Sequence, residues 1–193
     1  HVIEKVEYFG HDGDRVKGLV FCSRNDEAKA LSDAFNKRGY NTIALSGSNS
    51  QSEREAAVER LEMECNVDEK GRPVSEQALD YIFTVDIFNE GVDIPQVNQV
   101  IMLRPTQSAI VFVQQLGRGL RKADGKEYVV VLDFIGNYNN NFLIPIALSG
   151  DRTYNKDNVR KYVREGARVI PGSSTIHFDE ITKKKIFESI DKM

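Results

Sequence analysis

Two arginines and a glutamine near the middle of the chain have the side chains and the spacing to bind a polyphosphate. Gln114, Arg118 and Arg121 lie four and three residues apart, which places them on one face of a helix. Two guanidinium groups one turn apart can each bind a pair of phosphate oxygens. Gly117 and Gly119 lie in the same helix, where a glycine costs about 1 kcal/mol, and they favour close approach of a ligand or another backbone. A solvated basic helix face is the other interpretation of these charges.

The elements that must position this helix are visible as short apolar runs that alternate with helical patterns. The helix itself has an apolar side opposite the arginines, formed by Ala109, Val113, Leu116 and Leu120. The apolar runs that we interpret as strands end at Cys22, Leu45, Val85, Leu103 and Leu132. Buried strands joined mainly by helices predict an α/β fold, with a doubly wound, mainly parallel sheet and helices on both faces.

Local signals indicate where the other helices begin and end. Ser23 or Asn25 can cap the helix that follows the first strand, and Gly39 is placed to end it. Ser52 and Glu55 have the spacing of a capping box for the next helix. Residues 66–78 are polar and contain a glycine and a proline, so we expect an exposed loop there.

Composition limits the class of protein and its surroundings. The chain has 193 residues, of which 40% are hydrophobic, enough for a sizeable core. Its net charge of −3 argues against a general polyanion binder, so nucleic acid could contact only a local patch. Two cysteines are too few for a disulfide framework or a zinc site, and they suit a reduced environment. Without an evident membrane span or signal peptide, we expect a soluble, cytoplasmic protein that does not bind membranes.

We predict three regions along the chain. Residues 1–16 are expected to be the end of an upstream helix or a linker, residues 17–150 the main domain, and residues 151–193 a small α/β C-terminal extension. The extension has ten basic and seven acidic residues, whereas the whole chain is net acidic. This contrast suggests a change of role near residue 150.

The extension is predicted to contain two helices and a strand. Arg160, Lys161 and Arg164 alternate with Val159 and Val163, which predicts an amphipathic helix with a basic face. Residues 174–178 suggest a strand, and the aspartate that follows them a cap for a second helix. Packing against the sheet and a surface that contacts nucleic acid or another domain both fit this pattern.

Polar residues follow the strand candidates at the positions where ligands bind in parallel sheets. Ser23 and Arg24 follow the first strand, Ser46 and Gly47 the second, and Arg104 the fourth. Ligands of such sheets bind outside the carboxyl ends of the strands. Hydroxyls, glycines and arginines are suited to contacts with phosphates of a nucleic-acid backbone, although loops are polar for other reasons as well.

Three segments, in this order, resemble the second RecA-like motor domain of superfamily 2 helicases and translocases, a P-loop NTPase-type fold. FCSR resembles motif IV, TVDIFNEGVDIP resembles motif V, and QQLGRGLR resembles motif VI. The resemblance covers residues 17–137. The EGVDIP form of motif V and the glutamine that opens motif VI are more similar to the DNA motors of restriction and excision-repair enzymes than to DEAD-box RNA helicases.

The resemblance implies an ATP-binding role for five residues. Arg118 and Arg121 correspond to arginine fingers, which stabilise charge on the γ-phosphate, and Gln114 supports the nucleotide contact. Asp93 corresponds to the motif V carboxylate that accepts a hydrogen bond from the ribose, and Gly91 allows backbone to approach the ligand. A turn-forming aspartate ahead of a proline is the alternative for Asp93.

The resemblance also implies a nucleic-acid contact that is independent of base sequence. The residues that match the positions of this contact are Ser23, Arg24, Ser46, Gly47, Arg54 and Thr84. For Arg54, a solvated helix position is an equal alternative.

The resemblance implies one half of a motor. The sequence contains neither a G-x-x-x-x-G-K-[ST] loop nor an acidic magnesium-binding box. ATP and Mg²⁺ would therefore be held mainly by a first RecA-like domain of the same protein, and the substrate would be nucleic acid, with DNA favoured over RNA. A non-catalytic helicase-like module that docks nucleic acid or protein is the alternative. A dinucleotide enzyme is disfavoured because no G-x-G-x-x-G follows the first strand.

Overall fold

The computed structural model describes residues 1–85, 87, 94–104, 123–134, 146, 153, 155–165 and 178–192. The chain divides into two compact units. Residues 1–104 and 115–134 belong to the first, and residues 105–114 and 135–193 to the second. The domain boundary that we predicted at residue 150 lies outside the described residues, and both predicted boundaries stay predictions.

A parallel sheet forms the centre of the first unit. Its described strands are β1 (Gly18–Phe21), β2 (Thr42–Leu45), β3 (Tyr81–Thr84), β4 (Gln99–Met102) and β5 (Val130–Asp133). They lie in the order β2-β3-β1-β4-β5, and each neighbouring pair is parallel. The predicted α/β fold with a doubly wound parallel sheet is confirmed.

Helices α1 (Val2–Phe9) and α2 (Asn25–Lys37) cover one face of this sheet. Val6 of α1 and Phe35 of α2 share a core cluster with Val20, Tyr81 and Phe83. Phe35 makes edge contacts to both rings on β3, with centroids 5.2 and 5.1 Å away. Residues 1–16, which we expected to be an upstream helix or linker, therefore include a helix that packs on the sheet.

Helix α3 (Gln51–Glu62) belongs to the opposite face. The chain moves outward from β1 to β2 and then back to β3, and right-handed crossovers place α2 and α3 on different faces when the direction reverses. Successive strand residues point to opposite faces, so Leu19 and Ile82, which are next to residues of the first cluster, lie on this side. Both are fully buried, as is Leu61 of α3. Both faces are covered, which explains the continuous apolar runs.

The helix caps differ in part from those we predicted. The capping box of α3 is formed by Ser50 and Glu53, not by Ser52 and Glu55: the Ser50 hydroxyl accepts from the Glu53 N–H at 3.3 Å, and the Glu53 carboxylate accepts from the Ser50 N–H. Arg24 occupies the N-cap of α2 without a side-chain bond, so neither Ser23 nor Asn25 caps it. Gly39, with a φ of +85°, follows the end of α2 as predicted.

Two buried cations anchor the end of α3 at the amino edge of the sheet. The Arg15 side chain, only 4% exposed, donates to the carbonyls of Leu61, Met63 and Leu79 at 2.6 to 2.8 Å. Lys17 donates to the Glu64 carboxylate at 2.7 Å. Positive charge at a helix C-terminus complements the helix dipole, so these contacts hold α3 against the sheet.

The predicted loop at residues 66–78 is present and is held by its own contacts, but its last residue, Ala78, is fully buried. Val67 and Pro73 form an isolated antiparallel bridge. The Asp68 carboxylate accepts from the N–H groups of Lys70 and Arg72 at 2.8 and 2.9 Å. The Arg72 guanidinium lies over the ring of Tyr40, 4.8 Å from its centroid, and so connects the loop to the segment between α2 and β2.

The described part of the second unit contains helices α4 (Lys156–Glu165) and α5 (Glu180–Lys192). They pack through a cluster formed by Ile146, Val159, Val163, Ile186 and Ile190. Lys161 and Arg164 are exposed on α4, which confirms the predicted amphipathic helix with a basic face. Asp179 caps α5 as predicted, since its carboxylate accepts from the Thr182 N–H at 2.9 Å. The predicted strand at residues 174–178 lies outside the described residues except for Phe178.

In the part of the chain that the structure describes, no helix has the length and apolar character needed to cross a membrane.

Candidate nucleic-acid interface

The parallel register aligns the carboxyl ends of the strands at one edge of the sheet. Phe21 at the end of β1 lies opposite Thr84 of β3, and Thr84 lies opposite Leu45 of β2. Because neighbouring strands are about 4.8 Å apart, the segments that leave β1 and β2 begin about 10 Å from each other. Ser23 and Ser46 are thus placed at the same edge, as the sequence predicted.

The β1–α2 connection presents one exposed cation. The Arg24 side chain is 73% exposed, and its Nε lies 3.3 Å from the Asp26 carboxylate. Such an exposed ion pair is worth little, so the guanidinium can exchange this partner for a phosphate at small cost. Ser23 is also exposed, and its hydroxyl donates to the Leu103 carbonyl at 3.4 Å.

Glu27 holds the backbone of the same connection. Its carboxylate accepts from the Ser23 N–H at 2.9 Å, an interaction that was not predicted from the sequence. The sequence could have predicted this contact from the position of Glu27 in the first turn of α2, because acidic side chains there bind free N–H groups.

Cys22, which directly follows β1, is not reactive. Burial, and secondarily the charge of Glu27, raise the pKa of the Cys22 thiol to about 12. Cys22 is therefore an unreactive core residue and not a candidate nucleophile.

The β2–α3 connection is a compact turn rich in hydroxyl groups. The Asn49 side chain accepts from the Ser46 N–H at 2.8 Å, and the Asn49 N–H donates to the Ser46 carbonyl at 3.1 Å. The hydroxyls of Ser46 and Ser48 lie 2.7 Å apart. We did not predict this role of Asn49 from the sequence, although asparagines commonly bind backbone groups in turns.

Gly47 lies at the exposed tip of this turn. A Cβ atom added there would meet nothing within 4 Å, so packing within the described structure does not require a glycine. A glycine that its own fold does not require is compatible with close approach of another molecule. Gly47 accepts a hydrogen bond from Arg54 of α3 through its carbonyl, at 3.2 Å.

The two remaining predicted residues of this surface are less accessible. Arg54 is half-buried and holds the turn through Gly47, a contact that we did not predict, and its role in binding nucleic acid stays a prediction. Thr84 is fully buried, and its hydroxyl has no hydrogen-bond partner within the described structure. Its backbone carbonyl accepts from the Cys22 N–H at 2.9 Å, within the sheet.

The arrangement has groups that are suited to binding phosphates. Ser46, Gly47 and Arg24 present hydroxyl, backbone and guanidinium groups, whereas Asp26 and Glu27 supply negative charge nearby. This balance favours a few contacts to phosphates over tight electrostatic binding. Among the described residues, no group of three or more His, Cys, Asp or Glu side chains could hold a metal ion.

The five residues predicted to bind ATP lie outside the described residues. They are Gln114, Arg118, Arg121, Gly91 and Asp93. The segments directly after them, residues 94–104 and 123–134, are described and belong to the first unit.

Comparison with known proteins identifies the family. The model of the helicase conserved C-terminal domain matches residues 2–123. A Schizosaccharomyces pombe protein named "Putative mitochondrial ATP-dependent helicase irc3" is 32% identical over 124 residues, which cover 64% of this chain and 18% of that protein. The ATP-dependent RNA helicase SrmB of Haemophilus influenzae is 25% identical over 121 residues, 63% of this chain and 25% of that protein. The chain thus spans a quarter or less of these relatives' length.

A solved structure has the same fold. The crystal structure of the yeast DEAD-box splicing factor Prp28 superimposes with a TM-score of 0.61 over 95% of this chain and 33% of its own, at 17% identity. The match to the family model covers more than half of the chain and includes every described strand except β5. The chain therefore belongs to the helicase conserved C-terminal domain family, as the RecA-like C-terminal domain of a superfamily 2 helicase.

Proposed function

We propose that this chain is the C-terminal motor domain of an ATP-dependent nucleic-acid helicase or translocase. The observation that carries the proposal is the family match over residues 2–123, which includes the segments around Asp93 and Arg118. The full-length protein would close two RecA-like domains on ATP, hydrolyse it and reopen while it holds nucleic acid. Relatives named as ATP-dependent helicases support this activity.

The ATP-site residues act on a nucleotide held mainly by the first RecA-like domain, together with its Mg²⁺. Arg118 and Arg121 reach the phosphates as arginine fingers, and Gln114 supports that contact. Asp93 accepts from the ribose, and Gly91 allows the backbone to come close. When bound, ATP supplies the phosphoryl transfer, for which fixed positive charge is the main protein contribution.

The nucleic-acid contact is assigned to the carboxyl edge of the sheet. The exposed Arg24 guanidinium, the Ser23 and Ser46 hydroxyls and the sterically open Gly47 support it. Arg54 takes part through the turn that it holds. The Thr84 hydroxyl is buried and has no partner within the described residues, so it contacts nucleic acid only if a movement of the domain exposes it. These groups bind phosphate and sugar without reading bases.

DNA is the favoured substrate because motifs V and VI resemble those of DNA motors. The cytoplasm is the proposed location. Free cysteines support a reducing compartment, since both Cys22 and Cys65 are unpaired. One matched relative is named an RNA helicase and another is named mitochondrial, so RNA is included in the test below.

The test replaces the arginines in the full-length protein and measures ATP hydrolysis with single-stranded DNA, duplex DNA or RNA present. An arginine finger contributes about 10³- to 10⁵-fold to turnover. Arg118→Ala and Arg121→Ala should therefore lower stimulated turnover by orders of magnitude, and Arg121→Lys should also fail because an ammonium group cannot span two oxygens. Lys122→Ala is the matched control and should retain turnover.

Two results would contradict the proposal. If all three arginine substitutions leave turnover within a few-fold of the parent, the arginines are a solvated patch and the docking module is favoured. If the 193-residue chain alone hydrolyses ATP and loses this activity on Arg121→Ala, the dependence on a first RecA-like domain is wrong. Stimulation by RNA but not DNA would contradict the DNA assignment alone.

A further inference from the structure

Lys126 is a half-buried lysine whose ammonium group joins two segments that are distant in the sequence. Its Nζ donates to the carbonyl of Pro95 and to the carbonyl of Val97, the latter at 3.1 Å. Lys126 itself closes a turn: its N–H donates to the Ala123 carbonyl at 3.2 Å, and the turn passes through Gly125 with a φ of +74°. Hydrogen bonds from a charged donor are about twice as strong as neutral ones.

Each of the two joined segments begins within two residues of a residue of the proposed ATP site. Ile94 is the next residue after Asp93, and Ala123 is two residues after Arg121. Ile94 and Val97 are fully buried, so the segment that accepts from Lys126 is fixed in the core. The described segment that follows Asp93 and the described segment that follows Arg121 are thus connected through one side chain.

A second residue holds the two positions directly after this turn and does not contact Pro95 or Val97. The Asp12 carboxylate accepts from the backbone N–H groups of Glu127 and Tyr128, the latter at 3.1 Å. Neither bond involves Pro95 or Val97. Asp12 therefore offers a matched control, because its loss weakens the segment after the turn without removing the connection that Lys126 makes.

We infer that Lys126 is a positioning residue that holds the segment following Asp93 at a fixed distance from the segment following Arg121. The inference rests on the proposed function. Residues that act on one bound nucleotide must be held at a fixed separation, and a displacement of about 1 Å can lower turnover about a hundredfold. A lysine with two fixed carbonyl acceptors maintains such a separation without touching ATP.

The first experiment measures amide hydrogen exchange in the 193-residue chain. Lys126→Met keeps most of the apolar stem and removes the donors, and it should speed exchange of the Val97 and Asn98 amides at least tenfold. Asp12→Ala should instead speed exchange at Glu127 and Tyr128. Unchanged exchange at Val97 in Lys126→Met would overturn the inference. Lys126→Leu, which also lacks a donor, takes the place of the methionine variant if that variant does not fold.

The second experiment measures ATP turnover and nucleic-acid affinity in the full-length protein. Lys126→Met should lower kcat about a hundredfold. Its Kd for nucleic acid without nucleotide should stay within twofold of the parent, because Lys126 lies at the other edge of the sheet from Ser23 and Ser46. Lys126→Arg retains donors and should recover most of the loss, and Asp12→Ala should stay within a few-fold of the parent.

The outcomes separate this role from the proposed function. Full turnover in Lys126→Met, or an equal loss in Asp12→Ala, would overturn the role of Lys126 while the parent remains an active motor. A parent without nucleic-acid-stimulated turnover would contradict the proposed function, and the role of Lys126 with it.

Discussion

Asp80 is a buried carboxyl whose ionisation should make the stability of this domain depend on pH. It lies just before β3 and is 0% exposed. One of its oxygens accepts from the Asn41 N–H at 2.8 Å, and the other has no hydrogen-bond partner in the described part of the chain. Burial raises the pKa of Asp80 from its ordinary 3.8 to about 6, against the opposing effects of the Asn41 N–H and the charges of Arg15 and Arg72.

The direction of the effect follows from the two pKa values. The unfolded chain loses the proton near pH 4 and the folded chain near pH 6, so between these values the folded state binds more protons. The contribution of Asp80 to the free energy of unfolding therefore falls as pH rises through this window and is constant above it. Because one pKa unit corresponds to about 1.4 kcal/mol, the full loss is about 3 kcal/mol.

The assay compares urea unfolding of the 193-residue chain and of Asp80→Asn between pH 4.5 and 8. Asparagine can still accept from the Asn41 N–H but does not ionise, so the difference between the two chains isolates this carboxyl from other titrating groups. The free energy of unfolding of the parent, relative to the variant, should fall by about 2 kcal/mol over this range, mostly below pH 6.5. If the difference in free energy of unfolding between the two chains does not change with pH, the raised pKa of Asp80 is refuted. If the stability of the parent relative to the variant rises with pH, the charges of Arg15 and Arg72 affect the pKa of Asp80 more than burial does.

Two further predictions concern the carboxyl edge. Ser50→Ala removes the capping box of α3 and should lower the free energy of unfolding by about 1 kcal/mol in urea titrations; an unchanged midpoint would mean that the cap contributes nothing to stability. Arg24→Ala should weaken binding of the full-length protein to nucleic acid and reduce the slope of log K against log salt by about 1. Arg38→Ala, at the other end of α2, is the matched control and should leave that slope unchanged; an equal reduction in both variants would contradict a specific contact by Arg24.

The sheet was predictable because its strands are buried on both faces. Such strands appear as continuous apolar runs, and each run in the sequence corresponds to an observed strand within a residue or two. The order of the strands was not predictable from these runs. The order depends on which strands form hydrogen bonds with each other, and these strand pairs join residues as distant in the sequence as Gly18 and Gln99.

The helix cap of α3 shows where local sequence is ambiguous. The spacing of a capping box occurs twice in succession, at Ser50 with Glu53 and at Ser52 with Glu55. Both pairs satisfy the same local rule. The structure uses the first, and the turn held by Asn49 immediately precedes it. The choice was made by the geometry of the connection from β2, which a local pattern does not contain.

The sequence alone determined the family and the residue types at the ends of the strands, because motifs are local and parallel strands place their exits at one edge. Only the tertiary structure decided how accessible those residues are. It exposes Arg24, buries Thr84 and engages Arg54 with the turn at Gly47. It also placed Lys126 between two carbonyls about thirty residues away. Burial and long-range hydrogen bonds depend on contacts between distant segments, and these form only when the sheet is assembled.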